Sequence, residues 1–289
     1  MPPALPAFLD HFASIAPSYD AVLSDVWGVV HNGIAATPAA CDALIRYRQQ
    51  GGTVVLITNA PRPGTVVTKF LERLNVPREA YDAIVSSGDV SRAAMAIRPG
   101  KHVFHIGPER DLPIFDGLGL TFVPFEKADY VVCTGLANDE VETAETYRDL
   151  LTKLRARNLF MVCGNPDLVV ERGHKLVPCA GAVADLYAKL GGEVLYAGKP
   201  HPPIYEESLA QVVSRRGKKP PLDRVLAIGD SIRTDLTGAV NYGMDCLFIT
   251  AGIHAEELGQ RDAPDRAAVG KIFANAGVAP RYVARRLEW

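Results

Sequence analysis

Short apolar runs that end in polar residues recur in the first and last thirds of the chain. They lack the alternation of apolar and polar positions that a strand with one solvated face shows, and a nearly continuous apolar run is typical of a strand buried on both faces of a parallel sheet. The runs are Ala21–Val26, Thr53–Ala60, Ala83–Asp89 and Arg224–Ser231. We therefore expect these segments to be strands of one parallel sheet.

Helical patterns separate these strands. Thr37 and Pro38 supply an N-cap and a first-turn proline for a helix over Ala39–Gln50, because the missing N–H of proline costs nothing in the first turn. A second amphipathic pattern covers Pro63–Asn75. Strands that alternate with helices predict an α/β fold with a doubly wound parallel sheet. Such sheets bind ligands beyond the carboxyl ends of their strands.

A second group of strand-like runs occupies the middle of the chain. These runs predict another α/β unit of about a hundred residues, and they are His102–Gly107, Asp129–Gly135 and Leu159–Asn165. We expect this unit to interrupt the first one. The predicted domains are 1–97 with 193–289, and an inserted domain over 98–192.

Polar residues stand where the predicted strands end. Asp25 is followed within three residues by Gly28, which lets the chain turn sharply, so its carboxylate can serve as a nucleophile or a metal ligand. Thr58–Asn59 can donate hydrogen bonds to an anion from a hydroxyl and an amide. The other polar ends are Ser86–Ser87 and Asp230–Ser231. A single shared site explains why polar residues end all four predicted strands better than four unrelated causes would.

A lysine and a further aspartate complete the candidate site. Lys199 lies in a stiff Gly-Lys-Pro loop, and such a fixed cation can neutralise a nucleophilic carboxylate and a phosphate oxygen together. Asp235 follows Asp230 by about one turn, so the two carboxylates can face a hard divalent cation. Asp25 precedes Thr58 by 33 residues and Lys199 precedes Asp230 by 31, whereas 141 residues separate Thr58 from Lys199. One long gap between two short ones indicates an inserted domain.

Composition limits the partners. The 289 residues carry 31 Lys and Arg against 33 Asp and Glu, a net charge of −2, so no surplus of cations favours nucleic acid. No apolar run reaches the roughly 18 residues of a membrane helix, and the N-terminus lacks the pattern of a secretory signal. Five widely spaced cysteines without a CxxC pair indicate free thiols in a reducing compartment. We expect a cytoplasmic protein that binds neither nucleic acid nor a membrane.

The order of these motifs resembles that of a known family. Four motifs of the haloacid dehalogenase (HAD) superfamily are similar to Asp25, Thr58–Asn59, Gly198-Lys199-Pro200, and Gly229-Asp230-Ser231 with Asp235. A domain inserted between the second and third motifs is similar to the cap of subfamily IIA, a branch that includes sugar-phosphate and nitrophenyl-phosphate phosphatases. The resemblance extends from Tyr19 to about Thr250. It implies a Rossmann-like HAD core with an inserted α/β cap domain.

The resemblance also implies an activity. The expected enzyme is a Mg²⁺-dependent phosphatase that hydrolyses a small phosphorylated metabolite, with sugar phosphates and aryl phosphates both open as substrates and a homodimer open beside a monomer. Asp25 would attack phosphorus and become an aspartyl-phosphate. Thr58 and Asn59 would hold phosphoryl oxygens, and Lys199 would bind phosphate and stabilise the charge that develops during transfer.

The same resemblance implies the metal ligands. Asp25, Asp230 and the backbone carbonyl of Trp27 would bind Mg²⁺, and Asp235 would order the surrounding ligands. Phosphatases of the family carry a second aspartate where this chain has Trp27, and that aspartate protonates the leaving group and later activates water. An indole N–H is only a donor, and lost acid–base help costs roughly 10²–10⁴-fold in rate. We therefore expect slow turnover of substrates with poor leaving groups.

Several consequences of Trp27 stay open. The first is that the substrates have leaving groups that need little protonation, as in aryl or acyl phosphates. The second is that another acid, such as His31, protonates the leaving group. The third is that the protein binds a phosphorylated ligand without turnover. Dehalogenation ranks lower, because halide-releasing relatives also carry an aromatic residue here but need no metal, whereas the pair of Asp230 and Asp235 is complete. Further candidates for contacts to substrate or to the site are Ser231, Asn165 and Asp167.

Overall fold

The computed structural model describes residues 6–172, 175–260 and 263–289. These residues form two compact units. The first is built from the described residues of Met1–Thr58, Thr68–Val85 and Tyr205–Trp289, and the second from those of Asn59–Val67 and Ser86–Ile204. Each unit contains a parallel sheet of its own. The domain limits over 1–97, 98–192 and 193–289 stay a prediction.

Strands and helices alternate along most of the described chain. The strands are β1 (Ala7–Leu9), β2 (Ala21–Asp25), β3 (Thr53–Thr58), β4 (Ala83–Ser86), β5 (His102–Ile106), β6 (Thr121–Phe122), β7 (Tyr130–Cys133), β8 (Met161–Cys163), β9 (Val169–Arg172), β10 (Lys175–Pro178), β11 (Val194–Tyr196), β12 (Val225–Gly229), β13 (Asp245–Ile249), β14 (Gly259–Gln260), β15 (Ala263–Pro264) and β16 (Tyr282–Ala284). The α-helices are α1 (Pro38–Gln49), α2 (Gly64–Arg73), α3 (Ser87–Ile97), α4 (Arg148–Ala156), α5 (Ala180–Lys189), α6 (Pro202–Arg216), α7 (Thr237–Tyr242) and α8 (Arg266–Ala276). A 3₁₀ helix covers Glu109–Phe115, and a π-helical turn over Ile232–Leu236 precedes α7.

The sheet of the first unit has seven strands in the order β1-β16-β13-β12-β2-β3-β4. Strand β2 pairs in parallel with β12 on one side and with β3 on the other. All residues of these three strands are buried, which explains their continuous apolar runs. Because the chain moves from β2 to β3 in one direction and reaches β12 in the other, the edge between β2 and β12 is a topological switch point. Open α/β sheets bind ligands at such points.

The two helices predicted in the first part of the chain are confirmed. Helix α1 begins at Pro38 and α2 begins at Gly64, each within one residue of the predicted start. The buried residues of α1 include Ala40, Leu44 and Tyr47, which lie three or four positions apart and therefore on one face. That face packs toward the interior, as the apolar spacing indicates.

The prediction of a strand over Ala83–Asp89 is wrong at its end, because β4 stops at Ser86. The Ser86 hydroxyl accepts a hydrogen bond from the Asp89 backbone N–H at 3.0 Å, and the Asp89 carboxylate accepts one from the Ser86 backbone N–H at 3.1 Å. This reciprocal pair is a capping box that starts α3. Ser86 is thus both the last residue of β4 and the N-cap of α3. This capping role explains why polar residues stand at Ser86–Ser87 without a ligand there.

The second unit has a five-stranded sheet in the order β11-β8-β7-β5-β6, with parallel pairing throughout. Alternate residues of β7 point to opposite faces. Val131 packs in one apolar cluster with Leu154 of α4 and Tyr187 of α5, whereas Val132 packs in another with Met95 of α3. Helices therefore cover both faces of this sheet, and the predicted α/β architecture is confirmed. Within the described ranges, no helix combines the length and apolarity needed to cross a membrane.

Candidate active site

Three buried carboxylates meet at the switch point of the first sheet. Asp25 is the last residue of β2, Asp230 directly follows β12, and Asp235 lies in the π-helical turn beyond it. Each offers a carboxylate oxygen, and these oxygens all lie within 4.8 Å of one another. The three residues are 8%, 5% and 3% exposed. The sequence predicted this meeting, because carboxyl ends of neighbouring parallel strands share one edge of the sheet.

The turn after Asp25 brings the backbone against Asp230. Gly28 has a φ of +85°, and its N–H donates to the His31 carbonyl at 2.8 Å, which closes the turn. A Cβ atom on Gly28 would lie 2.0 Å from Asp230 Oδ2, and one on Gly252 would lie 1.9 Å from the same oxygen. Only glycine fits at either position. The Ile253 N–H donates to Asp230 Oδ2 at 2.8 Å, so this carboxylate is held by backbone on several sides.

Asp235 is fixed by the start of the same helical segment. The Ser231 N–H donates to Asp235 Oδ2 at 3.1 Å, and the Ser231 hydroxyl accepts a hydrogen bond from the Thr234 N–H at 3.3 Å. A Cβ atom on Gly229 would lie 2.1 Å from Asp235 Cγ. Ser231 therefore caps the turn that carries Asp235. The π-helical turn, an irregularity that is frequent at functional sites, aims this carboxylate back at the strand end.

The three carboxylates fit a hard divalent cation. Like charges this close in a buried position repel each other strongly, since little water screens them, and oxygen ligands of this kind are what Mg²⁺ prefers. The backbone around Asp230 leaves its position little freedom. Asp25, Asp230 and Asp235 could therefore hold Mg²⁺, as predicted, and the contribution of the Trp27 carbonyl stays a prediction.

Thr58 lies at the same edge of the sheet. Ile57 is opposite Asp25 in the register of β3 with β2, so Thr58 is one residue further toward the carboxyl end. Its side chain is buried, with 8% exposed. This position agrees with the predicted phosphate contact, which remains to be tested.

His31 holds the indole of Trp27 in place. The two ring centroids are 5.1 Å apart in an edge-to-face arrangement, and the other side of the imidazole contacts Phe70 at 5.5 Å. His31 Nδ1 accepts a hydrogen bond from the Gly33 N–H at 2.9 Å. Burial lowers the pKa of His31 to about 4, so the ring is neutral at pH 7. This environment favours a packing role for His31 over that of a replacement acid.

Lys199 belongs to a separate polar cluster in the second unit. The Asn59 amide donates to Asp167 Oδ1 at 2.9 Å and to the Lys199 carbonyl at 3.0 Å, while its oxygen accepts from the Lys199 N–H at 2.7 Å. The Asn165 side chain accepts from the Asp167 N–H at 3.0 Å. Asn59 thus fixes the backbone of Lys199, which is 3% exposed. Both amide protons of Asn59 are used in this way, so its phosphate contact stays a prediction.

The sequence did not reveal a group of polar contacts in the second unit, near β5 and β7. Arg62 Nε donates to Asp111 Oδ1 at 3.2 Å, and His105 Nε2 lies 2.8 Å from the Thr134 hydroxyl. Asp111 and Thr134 are buried, with 3% and 2% exposed. Gly107, after β5, is the signal that could have pointed there, because a Cβ atom on it would lie 2.1 Å from Thr134 Oγ1.

Comparison with known proteins gives the class of this fold and site. A family model described as haloacid dehalogenase-like hydrolase matches residues 22–121, and a HAD-hydrolase-like model matches residues 196–276. The structure of a hydrolase of the haloacid dehalogenase-like family from Brucella suis 1330 is 46% identical, with a TM-score of 0.85, and covers 96% of this chain and 99% of that one. The fold and the site therefore define a hydrolase with an α/β fold.

Curated relatives match with lower identity. The 5′-nucleotidase YutF of Bacillus subtilis (strain 168) is 24% identical over 242 residues, which are 83% of this chain and 90% of that protein. The D-glycerol 3-phosphate phosphatase of Mycobacterium tuberculosis (strain ATCC 25618 / H37Rv) is 28% identical over 251 residues, 84% of this chain and 66% of that protein. The chain belongs to the haloacid dehalogenase-like hydrolases. The predictions of this family and of an enzyme are confirmed.

Proposed function

We propose that the protein is a Mg²⁺-dependent phosphatase that hydrolyses a small phosphomonoester through an aspartyl-phosphate on Asp25. The observation that carries this proposal is the buried cluster of Asp25, Asp230 and Asp235, whose ligand oxygens lie within 4.8 Å of one another at a strand edge. Relatives described as a 5′-nucleotidase and a glycerol phosphate phosphatase support the reaction class. The proposed substrate is a phosphorylated metabolite of the cytoplasm.

In this proposal one set of residues binds the metal and another binds the phosphoryl group. Asp25, Asp230 and Asp235 would hold Mg²⁺, with the Trp27 carbonyl as a further ligand. When bound, Mg²⁺ offsets the negative charge of the carboxylates and of the phosphoryl oxygens, which lets one anion approach another. Glycine backbone at positions 28 and 252 keeps Asp230 in place, so the ligand set is fixed before substrate arrives.

Asp25 carries out the first bond exchange. One carboxylate oxygen of Asp25 forms a bond to phosphorus while the bond from phosphorus to the leaving-group oxygen breaks, and the leaving group departs with the electron pair of that bond. Thr58 donates a hydrogen bond to a phosphoryl oxygen, and Lys199 supplies positive charge as the transfer proceeds. Water then attacks the phosphorus of the aspartyl-phosphate, which releases phosphate and restores the Asp25 carboxylate.

Trp27 determines which leaving groups depart. The indole cannot protonate the departing oxygen, and His31 is neutral because burial lowers its pKa to about 4. The departing oxygen therefore leaves as an anion and takes its proton from water. Aryl and acyl phosphates, whose anions are stable, are the favoured substrates, and alkyl phosphates are slow.

A leaving-group series tests the proposal. The rate of hydrolysis of substituted aryl phosphates is measured with and without Mg²⁺, and kcat/KM should fall as the pKa of the leaving group rises. Asp25→Asn should abolish turnover, and Asp42→Asn, on an exposed helix face, is the matched control that should keep it. Rates that do not depend on the leaving-group pKa contradict the role of Trp27, and full activity of Asp25→Asn overturns the assignment.

One observation favours a second candidate function. Trp27 removes the acid–base group of the reaction, and a chain that binds a phosphorylated ligand without turnover would tolerate this loss. The same assay separates the two functions: Mg²⁺-dependent turnover that requires Asp25 supports the phosphatase, and saturable binding of phenyl phosphate without turnover supports the binding function. Release of halide from a haloacid would instead indicate a dehalogenase.

A further inference from the structure

The loop that follows β13 borders the acidic cluster, and both belong to the first unit. Strand β13 pairs in parallel with β12, so the residues after β13 lie at the same edge of the sheet as Asp230. Gly252 approaches Asp230 Oδ2 so closely that a Cβ atom would not fit, and the Ile253 N–H donates to the same oxygen at 2.8 Å. This loop therefore restrains one carboxylate of the cluster.

Asp235 is carried by the π-helical turn over Ile232–Leu236. N–H groups at the start of a helical segment need acceptors from outside the helical ladder. The Ser231 N–H finds one in Asp235 Oδ2 at 3.1 Å, and the Thr234 N–H finds one in the Ser231 hydroxyl at 3.3 Å. These bonds are local in the chain, so they shape the turn without tying it to the neighbouring loop.

His254 joins the loop to the turn. The N–H of Ile232, the first residue of the turn, donates to His254 Nε2 at 3.4 Å across 22 positions of the chain. His254 directly follows Ile253, whose N–H holds Asp230. A single hydrogen bond thus connects the segment that restrains Asp230 with the segment that carries Asp235.

The hydrogen bonds of His254 have a defined direction. A backbone N–H only donates, so Nε2 is the acceptor and the ring proton lies on Nδ1. Nδ1 is 3.4 Å from Glu257 Oε2, a carboxylate oxygen that accepts. The side chain of Glu257 is 64% exposed, whereas that of His254 is 21% exposed. Glu257 therefore supports this form of the ring from the solvent side.

Packing holds the imidazole from the interior. The rings of His254 and Phe248 have centroids 6.1 Å apart. Phe248 belongs to β13, is fully buried, and contacts Phe273 of α8 edge to face at 5.1 Å. This apolar contact is separate from the hydrogen bond to Ile232. An apolar side chain at position 254 can keep the packing and still lose the acceptor.

We infer that His254 is a positioning residue of the proposed metal site, which keeps the carboxylates of Asp230 and Asp235 at the spacing that Mg²⁺ requires. The inference rests on the proposed function and deepens it. Groups that orient metal ligands typically change metal affinity by roughly 10–100-fold. His254 acts one residue away from the ligands and through a bond of 3.4 Å, so its removal should weaken Mg²⁺ binding by about threefold to tenfold.

His254→Leu tests the acceptor, because leucine can pack against Phe248 but cannot accept a hydrogen bond. Titration calorimetry with Mg²⁺ alone measures the Kd without substrate, and it should rise about threefold to tenfold. The Mg²⁺ concentration that gives half-maximal hydrolysis of phenyl phosphate should rise in parallel. The KM for phenyl phosphate at saturating Mg²⁺ should stay within about twofold of the wild-type value, since His254 touches no substrate.

Two further variants isolate the hydrogen bond. His254→Gln offers an amide oxygen at about the reach of Nε2 and should return the Mg²⁺ Kd to within about twofold of the wild type. Ile232→Pro removes the donor at the first position of a helical turn, where proline is tolerated. It should weaken Mg²⁺ binding as much as His254→Leu does, and the double variant should lose no more than either single one, because both changes remove the same bond.

Glu256→Gln is the matched control, at an exposed position of the same loop, and it should bind Mg²⁺ as the wild type does. An unchanged Mg²⁺ Kd in His254→Leu or in Ile232→Pro overturns the inference, as does a loss in His254→Gln equal to that in His254→Leu. These outcomes leave the phosphatase function standing if turnover still requires Asp25. A wild-type protein that neither binds Mg²⁺ nor hydrolyses phenyl phosphate overturns the proposed function and this inference with it.

Discussion

Gly28 and Asp230 are in direct contact: a Cβ atom at position 28 would lie 2.0 Å from Asp230 Oδ2. The glycine also has a φ of +85°, so two separate constraints act on one residue. The close approach restrains a carboxylate that we propose as a metal ligand. The backbone conformation closes the turn that follows the proposed nucleophile.

Gly28→Ala should therefore damage the metal site as well as the fold. We expect a loss of stability of about 1–3 kcal/mol from backbone strain and a loss of Mg²⁺-dependent activity of tenfold or more, on the order of what a misplaced site group costs. Gly51→Ala is the matched control, because Gly51 has a φ of +88° but no atom within 4 Å of its Cβ position. It should lose stability and keep activity. Equal activity of the two variants contradicts the role of the contact.

Removing one carboxylate of the acidic cluster should have opposite effects on stability with and without metal. Asp235→Asn removes one of three carboxylates whose oxygens lie within 4.8 Å, so the metal-free protein should gain stability as repulsion falls. The same change should remove most of the rise in Tm that Mg²⁺ produces in the wild type. Thermal unfolding in EDTA and in Mg²⁺ measures both effects. Asp223→Asn serves as the control on the same unit, and a full Mg²⁺ response of Asp235→Asn would show that Asp235 takes no part in holding the metal.

Trp27→Asp should restore acid–base chemistry. A carboxyl at this position can protonate the leaving group, and such help is worth roughly 10²–10⁴-fold. We expect at least a tenfold gain in kcat on alkyl phosphates and a smaller change on aryl phosphates, whose leaving groups need little protonation. Trp27→Asn is the matched variant that removes the indole without adding an acid. A gain of the same size in Trp27→Asn would mean that space, not proton transfer, limits the rate.

Two histidines, His31 in the core and the half-buried His105, should make the protein sensitive to mild acid. Burial lowers the pKa of His31 and of His105 to about 4, below the roughly 6.5 of an unfolded chain. Between these values the unfolded state binds more protons, so the free energy of unfolding falls as the pH drops from about 6.5 to 4. Each histidine contributes at most about 1.4 kcal/mol per pH unit.

Denaturant unfolding at several pH values measures this dependence. His31→Asn retains an acceptor for the Gly33 N–H and should flatten the profile between pH 6.5 and 4. His11→Asn, at an exposed position, should leave the profile as it is. If His31→Asn and the wild type share one profile, His31 is not buried in its neutral form.

Parts of this site could be predicted from the sequence because they depend on local pattern and on parallel pairing. Asp25 and Asp230 each end a continuous apolar run, and such strand ends meet at one edge of a sheet. The contacts that refine the site depend on residues distant in the chain. Asp111 is 49 positions from Arg62, and Asn59 is 140 positions from Lys199, so no periodicity links them. Ser87–Asp89 were wrongly assigned to the strand, because the start of a capped helix and a ligand-binding strand end have the same composition.

The central claim is that Asp25 becomes phosphorylated. Rapid acid quenching of the enzyme with phenyl phosphate and Mg²⁺, followed by peptide mass spectrometry, measures this directly. We predict a phosphoryl group on the peptide that contains Asp25, at a level that builds up because Trp27 provides no base for hydrolysis, and none in Asp25→Asn. Turnover of phenyl phosphate without any phosphoryl group on Asp25, or turnover retained by Asp25→Asn, would contradict the account.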